Sequence, residues 1–290
     1  MDKVLKAVSA DGLIRLRVVS LRQAVERVRN IHLTTPVVTA ALGRTMAAAS
    51  MMGSNLKEEQ GSITIRINGG GPVGSIIAVS DFTGNVRAYA QNPQVVIEKR
   101  PDGKLNVGGA VGKEGLLTIT RDLGFGDPYV GSTSLVSGEI GEDVAQYFVE
   151  SEQLGAAVGL GVLVDVDQSV LAAGGYILEL LPDASDDMLG RLEENVTQVG
   201  PVTNTLKDHA PEVLVEKLMA GFSPQILETT PVEYRCYCSR ERVERALKSI
   251  GEQELKEMAE SGEDTLTTCQ FCEIEHRFTP GEIATLLRSR

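Results

Sequence analysis

Short runs of alternating apolar and polar residues occupy most of the first 180 residues and predict β-strands. Two such runs within residues 4–19 flank Asp11-Gly12, a pair typical of hairpin turns. Further strands are predicted at residues 62–68, 75–80, 86–91 and 115–120, and a closing pair at residues 159–166 and 169–181. Strands therefore outnumber helices, and the pattern is that of a mostly antiparallel α+β fold.

Three segments of the same region have the spacing of helices, at residues 21–31, 36–56 and 142–151. The second is rich in Ala and Gly, so we expect it to pack closely at the centre of the fold. Arg44 interrupts it, and we expect a paired or snorkelling side chain, with a functional site as the alternative. Residues 1–178 are thus predicted to be a core domain of sheet and packed helices.

The pattern changes at residues 179–231, which contain 3 basic and 10 acidic residues and have a net charge of −7. An amphipathic helix is predicted at residues 186–199, with Ser185 as its cap, and a shorter one at residues 211–222. Their apolar stripes are short and their charges repel one another. We therefore predict a metastable helical linker, with a solvated pair of surface helices as the alternative.

All four cysteines lie in the last segment, residues 232–290, as a Cys-x-Cys pair and a Cys-x-x-Cys pair. Short helices are predicted at residues 239–250, 252–260 and 280–288, with a strand at 274–278. A unit of this size has a small apolar core and usually needs a disulfide or a metal to fold. We predict a small C-terminal zinc-binding domain.

The cysteine spacing predicts zinc because two short-spaced pairs supply the four thiolates of a tetrahedral site. The predicted ligands are Cys236, Cys238, Cys269 and Cys272. Three interpretations remain open on spacing alone: inert buried cysteines, a purely structural zinc, and a redox-sensitive zinc. Arg235, Arg240, Arg242 and Arg277 stand near the pairs in sequence, and cations favour the oxidisable thiolate. His276 is an alternative ligand, although four cysteines complete the site without it.

The length and net charge of the chain restrict the classes of protein and partner that fit this sequence. The chain has 290 residues, enough for two domains, and its net charge is −12. Nucleic acid and anionic membranes are disfavoured as partners, because both require concentrated Lys and Arg. No apolar stretch reaches the roughly 18 residues of a spanning helix, and residues 1–12 lack a signal core. We therefore expect a cytoplasmic protein with reduced thiols.

Sequence patterns of enzymes are lacking, among them the nucleophile elbow, the HExxH zinc motif and the phosphate loop. Gly69-Gly70-Gly71-Pro72-Val73-Gly74 could hold an anion, but no helix start or Gly-Lys pair follows it. A hairpin turn is the better interpretation of this segment. We expect the protein not to be an enzyme.

The sequence resembles the thirty-three-kilodalton heat shock proteins, a family of redox-regulated molecular chaperones also called chaperonins of that mass. The resemblance covers nearly the whole chain and rests on motifs in the predicted core domain and in the predicted C-terminal domain. In the core they include Ala41-Leu42-Gly43-Arg44-Thr45-Met46, the glycine segment 69–74, Val86-Arg87-Ala88-Tyr89 and Val136-Ser137-Gly138-Glu139. Near the C-terminus they are Cys236-Tyr237-Cys238-Ser239 and Cys269-Gln270-Phe271-Cys272.

This resemblance implies an ATP-independent holdase that is inactive while reduced and bound to one zinc per chain. It also implies that oxidation forms the disulfides Cys236–Cys238 and Cys269–Cys272, that zinc leaves and that the linker at 179–231 unfolds. Unfolding client proteins, including oxidatively damaged ones, are the implied partners, and a homodimer is the implied active form. Two other classes remain as alternatives: a binding module with a fixed zinc-bound docking surface, and an enzyme acting in the glycine-rich core.

Overall fold

The computed structural model describes residues 1–289 as strands and helices that form two compact units, Met1–Arg235 and a second that begins at Cys236. The strands are β1 (Lys3–Val8), β2 (Ile14–Ser20), β3 (Ser62–Gly70), β4 (Ile76–Asp81), β5 (Val86–Ala90), β6 (Gly112–Asp122), β7 (Tyr129–Ser134), β8 (Gly155–Val164), β9 (Val170–Leu180), β10 (Gln225–Pro231), β11 (Thr265–Thr268) and β12 (Glu275–Phe278). The helices are α1 (Arg22–His32), α2 (Pro36–Gly53), α3 (Val107–Val111), α4 (Gly141–Glu150), α5 (Asp186–Val199), α6 (Val202–Asp208), α7 (Glu212–Leu218), α8 (Arg240–Ser249), α9 (Glu252–Glu260) and α10 (Pro280–Arg288).

Two five-stranded sheets organise the first unit. Sheet 1 has the strand order β10-β1-β2-β9-β8, and sheet 2 has the order β5-β4-β3-β6-β7. Within both sheets each ladder between neighbouring strands is antiparallel. The predicted hairpin at residues 4–19 is the β1–β2 pair, in which Val4 lies opposite Val19. The predicted α+β fold with mostly antiparallel sheets is confirmed.

Helix α2 lies between the two sheets and contacts strands of both. Its small residues allow this close approach: a Cβ on Gly43 would lie 2.6 Å from Cγ2 of Val162 in β8. Nearly every side chain of α2 is buried, as expected for a helix rich in Ala and Gly. Apart from Pro36 at the start of the helix, the exception is Arg44, whose Nη1 lies 2.6 Å from Oε2 of Glu139, so the expected paired arginine is confirmed.

The outer face of sheet 1 is covered by α5, α6 and α7, which we call the linker helices. Their buried residues Leu192, Val202, Leu214 and Leu218 share one apolar cluster with residues of β1, β2 and β9. Ser185 caps α5 as expected, since its hydroxyl accepts a hydrogen bond from the Met188 backbone N–H. The linker segment therefore forms part of the first compact unit, and its predicted metastability stays a prediction.

The glycine segment at residues 69–74 connects the antiparallel strands β3 and β4, so the predicted hairpin turn is confirmed, and it also packs tightly against the start of β6. A Cβ on Gly69 would lie 2.2 Å from the carbonyl oxygen of Gly112, closer than atoms can approach. Gly70 has a φ of 75°, in the left-handed region that favours glycine. Backbone packing thus accounts for this motif.

The second unit has a small core of its own. The buried side chains are Leu247, Leu255, Phe278, Ile283 and Leu286. Helix α10 begins with a reciprocal cap, in which the Thr279 hydroxyl accepts from the Glu282 N–H and the Glu282 carboxylate accepts from the Thr279 N–H. Among the helices of residues 1–289, none combines the length and apolar character needed to cross a membrane.

Candidate metal centre

The four cysteines lie on two short segments of the second unit. Cys236 and Cys238 lie just before α8. The start of that helix is capped by the Ser239 hydroxyl, which accepts a hydrogen bond from the Arg242 N–H. Cys269 and Cys272 form the turn between β11 and β12, which pair with each other. The sequence therefore brings one pair to a helix start and the other to a hairpin turn.

The hairpin turn is held by backbone hydrogen bonds around its cysteines. The Cys269 N–H donates to the Ile274 carbonyl at 3.0 Å, and the Glu273 N–H donates to the Cys269 carbonyl at 2.8 Å. Glu273 has a φ of 57°, a left-handed conformation that reverses the chain here. Both thiols of this pair consequently lie on one side of the turn.

The sulfur atoms of all four cysteines lie within 4.8 Å of one another. Sγ of Cys236 is 3.7 Å from Sγ of Cys269, and Sγ of Cys238 is 3.3 Å from Sγ of Cys272. A tetrahedral zinc with Zn–S bonds of about 2.3 Å separates its sulfur ligands by about 3.8 Å. The cluster thus has the size of a tetrahedral four-thiolate site, and these residues are positioned to bind a metal ion.

Crowding and burial change the acidity of these thiols. Burial raises the pKa of Cys272 to about 11 and raises the pKa of Cys238 further. Burial also acts on Cys269, but hydrogen bonds from the Phe271 and Cys272 backbone N–H groups lower its pKa overall. A bound cation would relieve the crowding, because it stabilises all four groups as thiolates.

His276 was the alternative ligand, and the structure places it in β12 opposite Thr267. The group of potential metal ligands found among residues 1–289 consists of the four cysteines. The nearby arginines are directed to other groups: Arg235 to Glu233, Arg277 to Asp264, and Arg240 to Glu282. The positions of these arginines near the cysteines in sequence therefore did not predict which acidic residues they pair with.

Two aromatic contacts near the cysteines were missed from the sequence. The Arg240 guanidinium lies 4.2 Å from the ring centre of Phe278, and that of Arg242 lies 6.0 Å from the ring centre of Tyr237. Phe278 ends β12 and is fully buried. An aromatic residue at the end of the predicted strand 274–278 was the only sequence signal for this core position.

Comparison with known proteins gives the family. Residues 2–279 match the family described as Hsp33 protein. This chain belongs to the Hsp33 family. A 33 kDa chaperonin of Clostridioides difficile (strain 630) is 44% identical over 99% of this chain and 99% of its own length. The 33 kDa chaperonin of Bacillus subtilis (strain 168) is 40% identical over 98% of this chain and 97% of its own length.

A solved structure agrees with the fold as well as the family. The crystal structure of the 33 kDa chaperonin from Thermotoga maritima, a heat shock protein 33 homologue, superposes with a TM-score of 0.90. It is 31% identical and the match covers 99% of this chain and 98% of that one. The expected resemblance is confirmed, and the Hsp33 family is one of chaperones, not of enzymes.

Proposed function

We propose that this protein is a redox-regulated, ATP-independent holdase chaperone in the cytoplasm. In the reduced, zinc-bound state it is inactive, and oxidation of its four cysteines activates it. The observation that carries the proposal is the cluster of four thiols, all within 4.8 Å, in a unit with a very small apolar core. A unit of this kind depends on its metal, so chemistry at the sulfur atoms controls whether it stays folded.

Zinc is the proposed metal, with Cys236, Cys238, Cys269 and Cys272 as its ligands and one ion per chain. Four thiolates in tetrahedral arrangement are the set that structural zinc prefers. In the reduced state the ion would hold the start of α8 and the β11–β12 turn together. The protein would then be closed and unable to bind clients.

Oxidation would remove the ligands. With hydrogen peroxide as oxidant, four zinc-bound thiolates, two peroxides and four protons give two disulfides, one free zinc ion and four waters. We propose the pairs Cys236–Cys238 and Cys269–Cys272, because after zinc leaves each cysteine meets its near neighbour at the highest effective concentration. In the folded cluster, sulfur atoms of different pairs also lie close together, at 3.7 Å and 3.3 Å, so near-neighbour pairing depends on separation of the two segments as the metal leaves.

Release of the linker would create the client-binding surface. Segment 179–231 has a net charge of −7, and its buried residues Leu192, Leu214 and Leu218 pack on sheet 1. When the linker helices detach, these apolar side chains and the outer face of sheet 1 become available to unfolding proteins. We further propose that the active form is a homodimer, which sedimentation of oxidised against reduced protein would measure.

The test is aggregation of a thermally unfolding client protein, measured with reduced and with peroxide-treated protein beside zinc release. The proposal expects suppression of aggregation only after oxidation, in step with loss of zinc. A module with a fixed zinc-bound docking surface would instead act in the reduced state. Peptide mapping of the oxidised protein would test the pairing, and a dominant Cys238–Cys272 link would refute it.

A double variant tests the role of the linker separately. Leu192→Asp with Leu218→Asp charges the buried side of the linker helices and should give anti-aggregation activity in reduced, zinc-bound protein. Hydrogen exchange across residues 179–231 should become faster at the same time. Leu189→Asp is the matched control, because Leu189 is on α5 but 43% exposed. Slow exchange that is equal in reduced and oxidised wild-type protein would exclude the linker as the switch.

A further inference from the structure

A cavity of about 750 Å³ lies where the linker helices meet the rest of the first unit. Its walls come from the start of α1, from β1 and β9, and from the connection between α6 and α7. This volume is in the range of small-molecule sites. Neither the metal centre nor the proposed client surface uses it.

The two acidic side chains of the cavity are already engaged. The Asp2 carboxylate accepts hydrogen bonds from the backbone N–H groups of Gln23 and Ala24, at 3.2 and 2.8 Å. The Glu26 carboxylate pairs with Arg29 and also accepts from the Val170 N–H at 2.7 Å. These carboxylates therefore stabilise α1 and its contact with β9, and they have little capacity left for another cation.

Of the three basic side chains of the cavity, Lys3 pairs with Glu212, and the other two are in the opposite situation. Arg22 and Lys207 line the cavity, and within residues 1–289 neither forms an ion pair. Arg22 lies close enough to Asp2 to lower the pKa of that carboxyl, against the larger effect of its burial. His209, at the end of α6, adds an imidazole that can donate a further hydrogen bond.

We propose that this cavity binds a small organic anion carrying a phosphate or carboxylate group. Arg22 would hold the charged group from the α1 side, and Lys207 and His209 would hold it from the linker side. Leu171, Leu206 and Pro211 also line the cavity and would contact an apolar part of the same molecule. A doubly charged group could accept hydrogen bonds from both cations, and hydrogen bonds between oppositely charged groups are stronger than those between neutral groups.

Occupancy would stabilise the docked linker, because one ligand bridges α1 and the α6–α7 connection. A ligand that binds only the docked state shifts the equilibrium towards it, by about 100-fold at a free concentration of 100 times Kd. The anion would therefore delay activation by oxidant. This regulatory step rests on the proposed function, whereas binding itself does not.

Calorimetric titration of the reduced protein with 1-naphthyl phosphate and 1-naphthoate tests binding and separates phosphate from carboxylate. Neutral 1-naphthol is the ligand control. Arg22→Gln with Lys207→Gln should weaken binding at least tenfold. Arg27→Gln with Lys57→Gln removes the same charge outside the cavity and should leave binding unchanged. Equal affinity of the two double variants, or equal binding of 1-naphthol, would overturn the site.

Hydrogen exchange of residues 202–218 with and without the bound anion tests the bridge. Exchange should slow in wild-type protein and not in the Arg22→Gln, Lys207→Gln variant. Binding without slower exchange would overturn the bridging geometry. If exchange slows while activation by peroxide is unchanged, the cavity stands and the proposed role of the linker as the switch fails.

Discussion

Arg17 and Glu179 form an ion pair inside the first unit, between β2 and β9. Their side chains are only 7% and 9% exposed. Arg17 also donates to the Met51 carbonyl at the end of α2, and its guanidinium lies 5.9 Å from the ring centre of Phe148. Burial lowers the pKa of Arg17, while Glu179 and Glu152 oppose that change. The pair therefore connects sheet 1, α2 and α4.

Glu179→Gln should destabilise the first unit strongly, because it leaves a buried cation without its partner. The expected loss is about 3 kcal/mol or more of unfolding free energy. Glu228→Gln breaks the more exposed Lys6 pair and should cost less than about 1 kcal/mol. Urea unfolding of the first unit measures both. Adding Arg17→Met to Glu179→Gln should recover stability, and equal losses in the two single variants would contradict this account.

Single residues also decide the metal site. Reduced protein should bind one zinc per chain and show no reactive thiols until a chelator is added. Cys269→Ser should lower zinc affinity by more than about 100-fold, because it removes one of four ligands. His276→Ala is the matched control and should retain zinc, since His276 lies in β12 outside the cluster. Zinc retained in Cys269→Ser but lost in His276→Ala would reassign the ligands.

At the level of elements, the sequence predicted those with a strong pattern of their own. Helix α2 was predicted from its small residues, and α5 from its cap and stripe. The four cysteines were predicted as one cluster from spacing alone, and the structure brings them together. Which cysteines lie next to each other in the cluster, such as Cys236 beside Cys269, depends on tertiary folding. No local sequence pattern predicts it.

Elements that form only because they pair with or pack on neighbouring elements were not predicted from the sequence. Strand β7 is short, polar and contains Gly131, and it exists because its backbone pairs with β6. Helix α6 lies between the two predicted linker helices, where no helix was predicted, since Pro201 and His209 bound only seven residues. Its Val202 is buried against β9, so packing stabilises a helix that has little helical pattern. Strand β11 was likewise missed and pairs with β12.

Docking of α7 should depend on pH through Glu212. Its carboxylate is 2.5 Å from Nζ of Lys3 in β1. Burial tends to raise the pKa of Glu212, but the hydrogen bond from Lys3 outweighs it and the pKa is lowered. The folded pKa is below the unfolded one, so this stabilisation is present above the ordinary value of 4.5 and is lost as pH falls through the folded pKa.

Hydrogen exchange of α7, corrected for intrinsic rates, should therefore accelerate as the pH falls below about 4.5. In Glu212→Gln the acceleration should be smaller, and exchange at neutral pH should already be faster than in wild-type protein. Glu216→Gln is the control on the same helix, because Glu216 is exposed. Identical pH profiles of wild-type and Glu212→Gln protein would show that the Lys3 contact does not hold α7.

At the scale of the whole molecule, the two units differ in what keeps them folded. The first has a large apolar cluster on each face of sheet 1, one shared with α2 and the other with the linker helices. The core of the second consists of Leu247, Leu255, Phe278, Ile283 and Leu286. So few buried side chains do not offset the conformational entropy of a folded segment of this length without a further link.

Chelation of zinc under reducing conditions should consequently unfold the second unit and spare the sheets of the first. Hydrogen exchange in residues 236–289 should approach the rates of an unfolded chain, while β3, β6 and α2 keep their protection. Returning zinc should restore protection in the second unit, because no disulfide has formed. Phe278→Leu, which keeps the thiols but shrinks this core, should make zinc loss easier. Full protection of residues 236–289 after chelation would mean that apolar packing alone folds the unit, and that loss of zinc cannot start activation.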